Sequence, residues 1–315
     1  MPELPEVEFT ARQLRTQVVD AIISEACVFW KRTIGHPEPE DFAAEIAGRR
    51  MLAIRRRGKF LVVDLSGDLF LSLHRRMTGN LLLLPAGWQI DTSLREQDAF
   101  AWDRKGPRFY QKEGSSGSSD AIAALLARET AYCRVCFNFA DGRRLLFTDP
   151  RKFGRITLWP RAQEEGFFAG QGPEPLGDAF TVEGFAGALA SRKSSIKQVL
   201  LDQQVVAGVG NIYADEALYY AAIHPLRRAS TLTWAEVERL HEGIIEVLNR
   251  GIEHGGTSFN DYRDLWGEAG DNYNHVRVYH QDGKPCVQCG TLIERMVIAQ
   301  RSAHYCPTCQ QLIVV

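Results

Sequence analysis

The chain has 315 residues, 45% apolar and 24% charged, which suits two domains and excludes a disordered or fibrous protein. Its 37 basic and 39 acidic residues leave a formal net charge of −2, arguing against a protein that coats nucleic acid through bulk charge while leaving local patches open. Seven cysteines are too few for a disulfide scaffold. No apolar run is long enough to span a membrane, and the acidic opening Met1-Pro2-Glu3-Leu4-Pro5-Glu6 lacks signal-peptide features. A soluble cytoplasmic protein is the expectation.

Val7, Ala11, Leu14 and Val18 make one apolar stripe and predict a helix over residues 4–19, with Pro5 in its first turn. Strand character follows over Ala21–Trp30, Arg50–Arg55, Phe60–Leu65, Leu69–His74 and Asn80–Leu84. Ser66-Gly67-Asp68 reads as a hairpin turn, and Asp141-Gly142 as a type I′ turn between strands Tyr132–Ala140 and Arg143–Thr148. Ile156–Trp159 closes the series. Many short strands after one helix suggest a β-sandwich or barrel flanked by helix. Residues 85–131 break the rhythm with the tract Gly114-Ser115-Ser116-Gly117-Ser118-Ser119 and a short helical stretch over 121–126, and read as an inserted surface loop.

A Pro/Gly-rich linker over about 160–180 is the expected boundary. Helical pattern then covers Val182–Ala190, Ser195–Asp202, Ile212–Ile223 and Trp234–Asn249, the last with Val237, Leu240, Ile244, Val247 and Leu248 on one face. The final 40 or so residues return to strands around cysteines. Cys286-x2-Cys289 and Cys306-x2-Cys309, with sixteen residues between the two pairs, supply four thiolates for a tetrahedral Zn²⁺. The alternatives are disulfides, which a reducing compartment disfavours, or coincidence. Four thiolates leave no open position, so the metal would be structural and would supply folding energy to a segment too small for a core. Cys133-x2-Cys136 lies on a predicted strand, where positions three apart face opposite sides. Those two and Cys27 read as buried structural thiols.

The net charge hides asymmetry. Arg49 to Lys59 holds six basic residues and no acid, and Arg143 to Arg155 holds five against Asp149 alone. Such patches fit phosphate contacts, or else charged strand edges that resist aggregation. Gly208 and Gly210, opening a predicted helix, suit an anion at a helix N-terminus or an ordinary tight turn. Lys193 and Lys197 nearby make a phosphate clamp plausible on chemistry. If Met1 is removed, Pro2 presents a secondary amine of pKa roughly 8, partly neutral at pH 7 and able to attack an acetal carbon. Glu3 beside it could move protons. The plainer reading is that these residues only start the helix.

Five motifs occur in one order: Pro2-Glu3-Leu4-Pro5-Glu6-Val7-Glu8, Gly58-Lys59-Phe60-Leu61, His74-Arg75-Arg76-Met77-Thr78-Gly79, Thr148-Asp149-Pro150-Arg151-Lys152-Phe153-Gly154 and Gly208-Val209-Gly210-Asn211-Ile212-Tyr213-Ala214. With Gln300-Arg301-Ser302-Ala303-His304-Tyr305-Cys306 inside the cysteine hairpin, they resemble formamidopyrimidine-DNA glycosylases, within the larger endonuclease VIII-like family. The resemblance covers the chain apart from about residues 86–131. It implies an α+β fold: an N-terminal catalytic β-sandwich flanked by helices over 1–160, a linker over 161–180, a helix-two-turn-helix domain over 181–275 and a zinc-ribbon hairpin over 276–315.

That resemblance implies a bifunctional DNA glycosylase and abasic-site lyase of base excision repair, acting on 8-oxoguanine and formamidopyrimidines in double-stranded DNA as a monomer. It makes Pro2 the nucleophile, Glu3 the acid that opens the sugar, Lys59 the β-elimination residue and Arg301 the proton donor in δ-elimination. It implies that Met77, Arg151 and Phe153 fill the space left by the flipped nucleotide, with Arg151 facing the orphaned base. Lys193, Asn211 and His74 match phosphate-contacting positions, and Cys286, Cys289, Cys306 and Cys309 hold the zinc. The DNA-contacting histidine expected near Tyr132–Arg134 is missing, and His304 stands where an aromatic residue is common. Leu4-Pro5, in place of Gly-Pro, favours purines over the oxidised pyrimidines of the endonuclease VIII type. The competing class is a zinc-containing DNA-binding protein without catalysis, against which Pro2, Glu3 and Lys59 together argue. The lesion-capping loop is expected within 255–275.

Overall fold

The computed structural model describes residues 2–91, 108–111, 130–259 and 261–312. The chain forms two compact units. One comprises Met1–Pro2, Glu6–Phe167 and Thr257–Gly270, the other Glu3–Pro5, Phe168–Gly256 and Asp271–Val315.

In the first unit, helix α1 (Leu4–Val18) buries Val7, Ala11, Leu14 and Val18, the stripe read from the sequence. They join a core enclosed by two sheets. A four-stranded sheet takes the order β1 (Ile23–Val28), β9 (Cys133–Phe139), β10 (Arg144–Thr148), β6 (Asn80–Leu84). A five-stranded sheet takes the order β2 (Ile34–His36), β11 (Arg155–Pro160), β5 (Leu69–His74), β4 (Phe60–Leu65), β3 (Met51–Arg57). Alternate residues turn inward, with Leu61, Val63, Leu71 and Leu73 from one sheet facing Val135, Phe137, Leu145 and Phe147 of the other. This is the expected sandwich.

Several local expectations change. The Asp141-Gly142 hairpin forms, but its turn is not type I′, because only Gly142 has a positive φ, 88°. Helix α2 (Pro39–Ile46) forms where the sequence shows no helical period; it has Pro39 in its first turn and only Phe42 and Ile46 buried, too few apolar residues to show one. Within the stretch read as an inserted loop, β7 (Trp88–Asp91) and β8 (Arg108–Gln111) pair antiparallel from Trp88↔Gln111 to Asp91↔Arg108. The 121–126 helical stretch and the Gly/Ser tract lie outside the described residues. Finally, Cys133 and Cys136 share one apolar cluster with Leu82, Leu84 and Leu146 instead of facing opposite sides. A bulge explains this: Val135 pairs with Phe147 and Cys133 with Thr148, so Arg134 is the extra residue. Both thiols are buried, as expected, and burial pushes them up.

A short helix α3 (Glu164–Phe168) follows β11. In the second unit, α4 (Val182–Ala190), α5 (Ile196–Leu200) and α7 (Trp234–Glu253) are capped by Thr181, Ser195 and Thr233. Thr233 forms a capping box with Glu236, and α7 buries its predicted face. Helix α6 (Asn211–Tyr220) opens from Gly210. Strands β12 (Glu294–Ile298) and β13 (Arg301–Tyr305) form a hairpin. Its turn residues Ala299 and Gln300 both have positive φ, 46° and 63°, as a type I′ turn requires. Among the described residues no helix is long and apolar enough to cross a membrane.

Candidate active site and nucleic-acid interface

The glycine pair before α6 receives an anion, and that anion belongs to the chain itself. The Ile212 N–H donates to Glu3 Oε1 at 3.0 Å, and the Tyr213 N–H lies 3.5 Å from Oε2. A helix N-terminus with unpaired N–H groups favours a carboxylate. Leu4 N–H donates to the Gly208 carbonyl at 3.1 Å, which fixes the terminal segment against this turn. A Cβ at Gly210 would stand 2.3 Å from the Glu3 carboxyl carbon. At Gly208, where φ is +85°, it would stand 2.7 Å from Leu4 Cβ. Both glycines are there for close approach.

Lys197 does not serve as a surface phosphate ligand, contrary to the clamp expected from sequence. It is fully buried, 2.5 Å from Asp215 Oδ1, and donates to the Asn211 carbonyl at 3.1 Å. Burial pulls its amine below the usual lysine range, against the opposing pull of Asp215. Asp215 Oδ2 also accepts the His304 N–H at 3.0 Å and lies 3.2 Å from His304 Nδ1. One carboxylate therefore ties α5, α6 and β13 together. Lys193, just before α5, is exposed. Asn211 opens α6, and its Nδ2 donates to Ser302 Oγ at 3.3 Å, next to Arg301. Arg301 is exposed at the first position of β13.

The four cysteines come together at the base of that hairpin. Cys286 and Cys309 sulfurs are 3.9 Å apart, Cys289 and Cys306 3.4 Å, and all four lie within 4.8 Å of one another. A thiolate tetrahedron with Zn–S of about 2.3 Å has edges of about 3.8 Å, so the set fits one Zn²⁺ and leaves no open position. The segment leading to the knuckle is held by buried Glu216, whose carboxylate accepts the N–H groups of Arg277, Val278 and Tyr279 at 2.8, 2.9 and 3.0 Å.

In the first unit, Pro2 is buried ahead of α1, and Lys59 is buried in the two-residue turn between β3 and β4. His74 ends β5. It is buried, packs edge-on against Phe60 at 4.6 Å, and accepts the Arg76 N–H on Nδ1 at 3.0 Å. Burial first, then the charges of Arg76 and Lys59, push it down to about 3, so its imidazole is neutral. Any phosphate contact from it would be a neutral Nε2–H donation.

Met77, Arg151 and Phe153 occupy two turns joined by buried Asp149. Its Oδ2 accepts the N–H groups of Phe153 and Gly154, both at 2.7 Å, and its Oδ1 accepts the Arg151 N–H at 3.2 Å and the Thr78 hydroxyl. The Arg151 guanidinium lies 4.9 Å from the Phe153 ring centre. Met77 is 38% and Phe153 50% exposed, apolar groups left in solvent by a well-packed unit. Sequence reading missed the roles of Thr78 and Asp149. The signal was there: an acid that begins a proline turn within a basic stretch suits side-chain to backbone hydrogen bonding.

Arg75, also unassigned from sequence, is the largest fully buried side chain among the described residues of this unit. It donates to the Gly79 carbonyl (2.7 Å), Thr10 Oγ1 (2.9 Å), Asn80 Oδ1 (2.5 Å) and the Arg263 carbonyl (3.1 Å). Asn80 Nδ2 donates to the Asp261 carbonyl at 2.6 Å. Part of the 255–275 segment is thus fastened to the sandwich. The basic cluster 49–59 is largely engaged internally: Arg55 pairs with Asp64 and Glu164, Arg56 with Glu8, and Arg49 donates to the Glu45 carbonyl. The strand-edge reading fits that cluster better than a phosphate patch.

Three family models match the chain. They are the formamidopyrimidine-DNA glycosylase N-terminal domain over residues 1–156, the H2TH domain of the same glycosylases over 171–263, and a zinc finger found in FPG and IleRS over 283–312. A formamidopyrimidine-DNA glycosylase of Roseiflexus sp. is 39% identical over 99% of this chain and 100% of its own length. One from Herpetosiphon aurantiacus is 40% identical over 98% and 100%. Among solved structures, a Lactococcus lactis FPG variant in complex with Fapy-dG-containing DNA superposes with a TM-score of 0.81 at 31% identity, covering 99% of this chain and 100% of that one. The L. lactis Fpg complex with abasic-site DNA gives 0.80 at 30%, covering 98% and 100%.

Proposed function

The chain belongs to the formamidopyrimidine-DNA glycosylase family, and from that membership we propose the roles of its residues. It is a base-excision-repair glycosylase with lyase activity, acting on oxidised purines in double-stranded DNA and carrying one structural Zn²⁺. Its compartment on this reading is the cytoplasm, at the nucleoid.

The neutral Pro2 amine, freed of Met1, attacks C1′ of the flipped nucleotide while Glu3 protonates the sugar oxygen and opens the ring. The base leaves with a proton, and the resulting iminium acidifies the 2′ hydrogens. Loss of a 2′ proton expels the 3′ phosphate, a step given to Lys59. A second elimination expels the 5′ phosphate, with Arg301 as proton donor. Water then hydrolyses the iminium and returns the amine. Met77 and Phe153 fill the vacated stack and Arg151 faces the orphaned base. Lys193, Asn211 and neutral His74 contact phosphates.

The observation that carries this reading is Glu3 on the α6 N-terminus. It fixes the residue bonded to Pro2, which a helix start alone would not require. The division into a catalytic sandwich over 1–160, a helix-two-turn-helix domain over 181–275 and a zinc finger over 276–315 belongs to the same proposal. A cleavage panel tests the substrate class, using duplexes with 8-oxoguanine, formamidopyrimidine, an oxidised pyrimidine and no lesion. Fastest nicking of the two purine lesions is expected. Preference for the pyrimidine would reassign the chain to endonuclease VIII-type specificity, and nicking of none would leave only DNA binding.

A further inference from the structure

We propose that His254, Asp271 and His275 form a second metal site, selective for a borderline divalent transition ion and distinct from the four-cysteine centre. All three belong to the second unit, and none takes part in the chemistry above. Their nitrogen and carboxylate oxygen atoms lie within 4.8 Å of one another. His275 Nε2 is 3.0 Å from Asp271 Oδ2, and the His254 and His275 rings stack 3.5 Å apart at 12°.

The backbone builds this cluster. His254 caps the C-terminal end of α7. Gly255 and Gly256, with φ of +72° and +84°, reverse the chain at once. The Asp271 N–H then donates to the His254 carbonyl at 2.8 Å, and the Asn272 N–H to the Gly256 carbonyl at 3.2 Å. The single 3₁₀ turn Asn272–His275 carries His275 back over Asp271, four residues earlier. Asn274 Nδ2 donates to Asp271 Oδ1 at 2.7 Å, which steadies the carboxylate and leaves Oδ2 toward the imidazole.

An ion bound at about 2.1 Å from each donor needs donor atoms about 3.0–3.4 Å apart. One pair has that spacing already, and the others reach it through side-chain rotation at a half-exposed site. Two imidazoles and one carboxylate favour Zn²⁺, Ni²⁺, Cu²⁺ or Co²⁺ over Mg²⁺ or Ca²⁺, with water completing the shell. The site also has a place in the chain path. The chain leaves the second unit after Gly256 and re-enters at Asp271, so an ion on these residues ties together the two ends of the 257–270 segment.

The test uses the full-length protein with its zinc centre loaded and verified by elemental analysis, titrated with NiCl₂ in a calorimeter. One further Ni²⁺ per chain is expected. His254→Gln and His275→Gln should each weaken it by more than about ten-fold, with zinc content unchanged. A wild-type chain that binds no nickel, or Gln variants that bind it as tightly as wild type, overturns the proposal. Spectroscopy of the Cu²⁺-loaded wild type needs no variant. Nitrogen hyperfine coupling from two imidazoles supports the site, and its absence refutes it. Neither readout depends on glycosylase activity.

Discussion

The carboxylate of Glu3 accepts the N–H of Ile212 at 3.0 Å, although 208 residues of chain lie between them. The turn that makes this possible has no room for a side chain at Gly210, where a Cβ would lie 2.3 Å from the carboxyl carbon. Gly210→Ala should therefore displace Glu3 while leaving the core of either unit intact. A misplacement of about 1 Å costs about 100-fold in rate, so single-turnover excision of 8-oxoguanine should fall by that order with little change in thermal midpoint. Wild-type excision by the variant would detach Glu3 from the chemistry.

Asp149 holds together the two turns that carry Met77, Arg151 and Phe153. Asp149→Ala leaves the N–H groups of Phe153 and Gly154 without their partner and frees the Thr78 hydroxyl. Hydrogen bonds to a charged group contribute about 1.5–3 kcal/mol, so urea unfolding should show a loss of about 3 kcal/mol. Affinity for lesion duplex should drop in parallel, because Arg151 and Phe153 lose their turn. A stable variant with unchanged affinity would mean that the turn holds its shape without this carboxylate.

Much of this was legible in sequence because it rests on local rules. The α1 stripe, the two hairpins, the α7 face and the CxxC pair each carry their period or spacing within a few residues. What was not legible depends on partners far along the chain. Lys197 reads as a phosphate ligand beside two glycines, yet Asp215 and the Asn211 carbonyl claim it. The glycines read as a phosphate cradle, yet Glu3 fills it. The bulge at Arg134 turns Cys133 toward Cys136, and no composition rule announces a bulge. Helix α2 was too short to declare a period.

His74 gives the fold a pH dependence of predictable sign. Its imidazole ordinarily titrates near 6.5 and is pushed down to about 3 in the folded unit. Between those values the unfolded chain binds the proton and the folded one does not. Stability from this group is therefore complete above about 6.5 and declines as pH falls toward 3, by at most about 1.4 kcal/mol per pH unit. Urea unfolding from pH 7.5 to 4.5 should show this slope, and His74→Gln should flatten it. Identical slopes in the two proteins would place the histidine in solvent.

Zinc removal should act through Arg301. The buried cluster of the zinc segment is Ile293 and Val278 packed around the cysteines themselves, so without metal the β12–β13 hairpin should lose its order. Chelation is expected to weaken DNA binding and to abolish the second elimination, so that any residual nicking stops after β-elimination. Full affinity and unaltered end products in a verified metal-free protein would contradict this.

The most direct measurement is borohydride trapping on a duplex carrying 8-oxoguanine, read by intact mass. Mature protein beginning at Pro2 should yield a covalent protein–DNA adduct at its first residue, absent from Pro2→Gly and from protein that retains Met1. Lesion binding without any adduct, or an adduct located on Lys59 instead, would contradict an amino-terminal nucleophile.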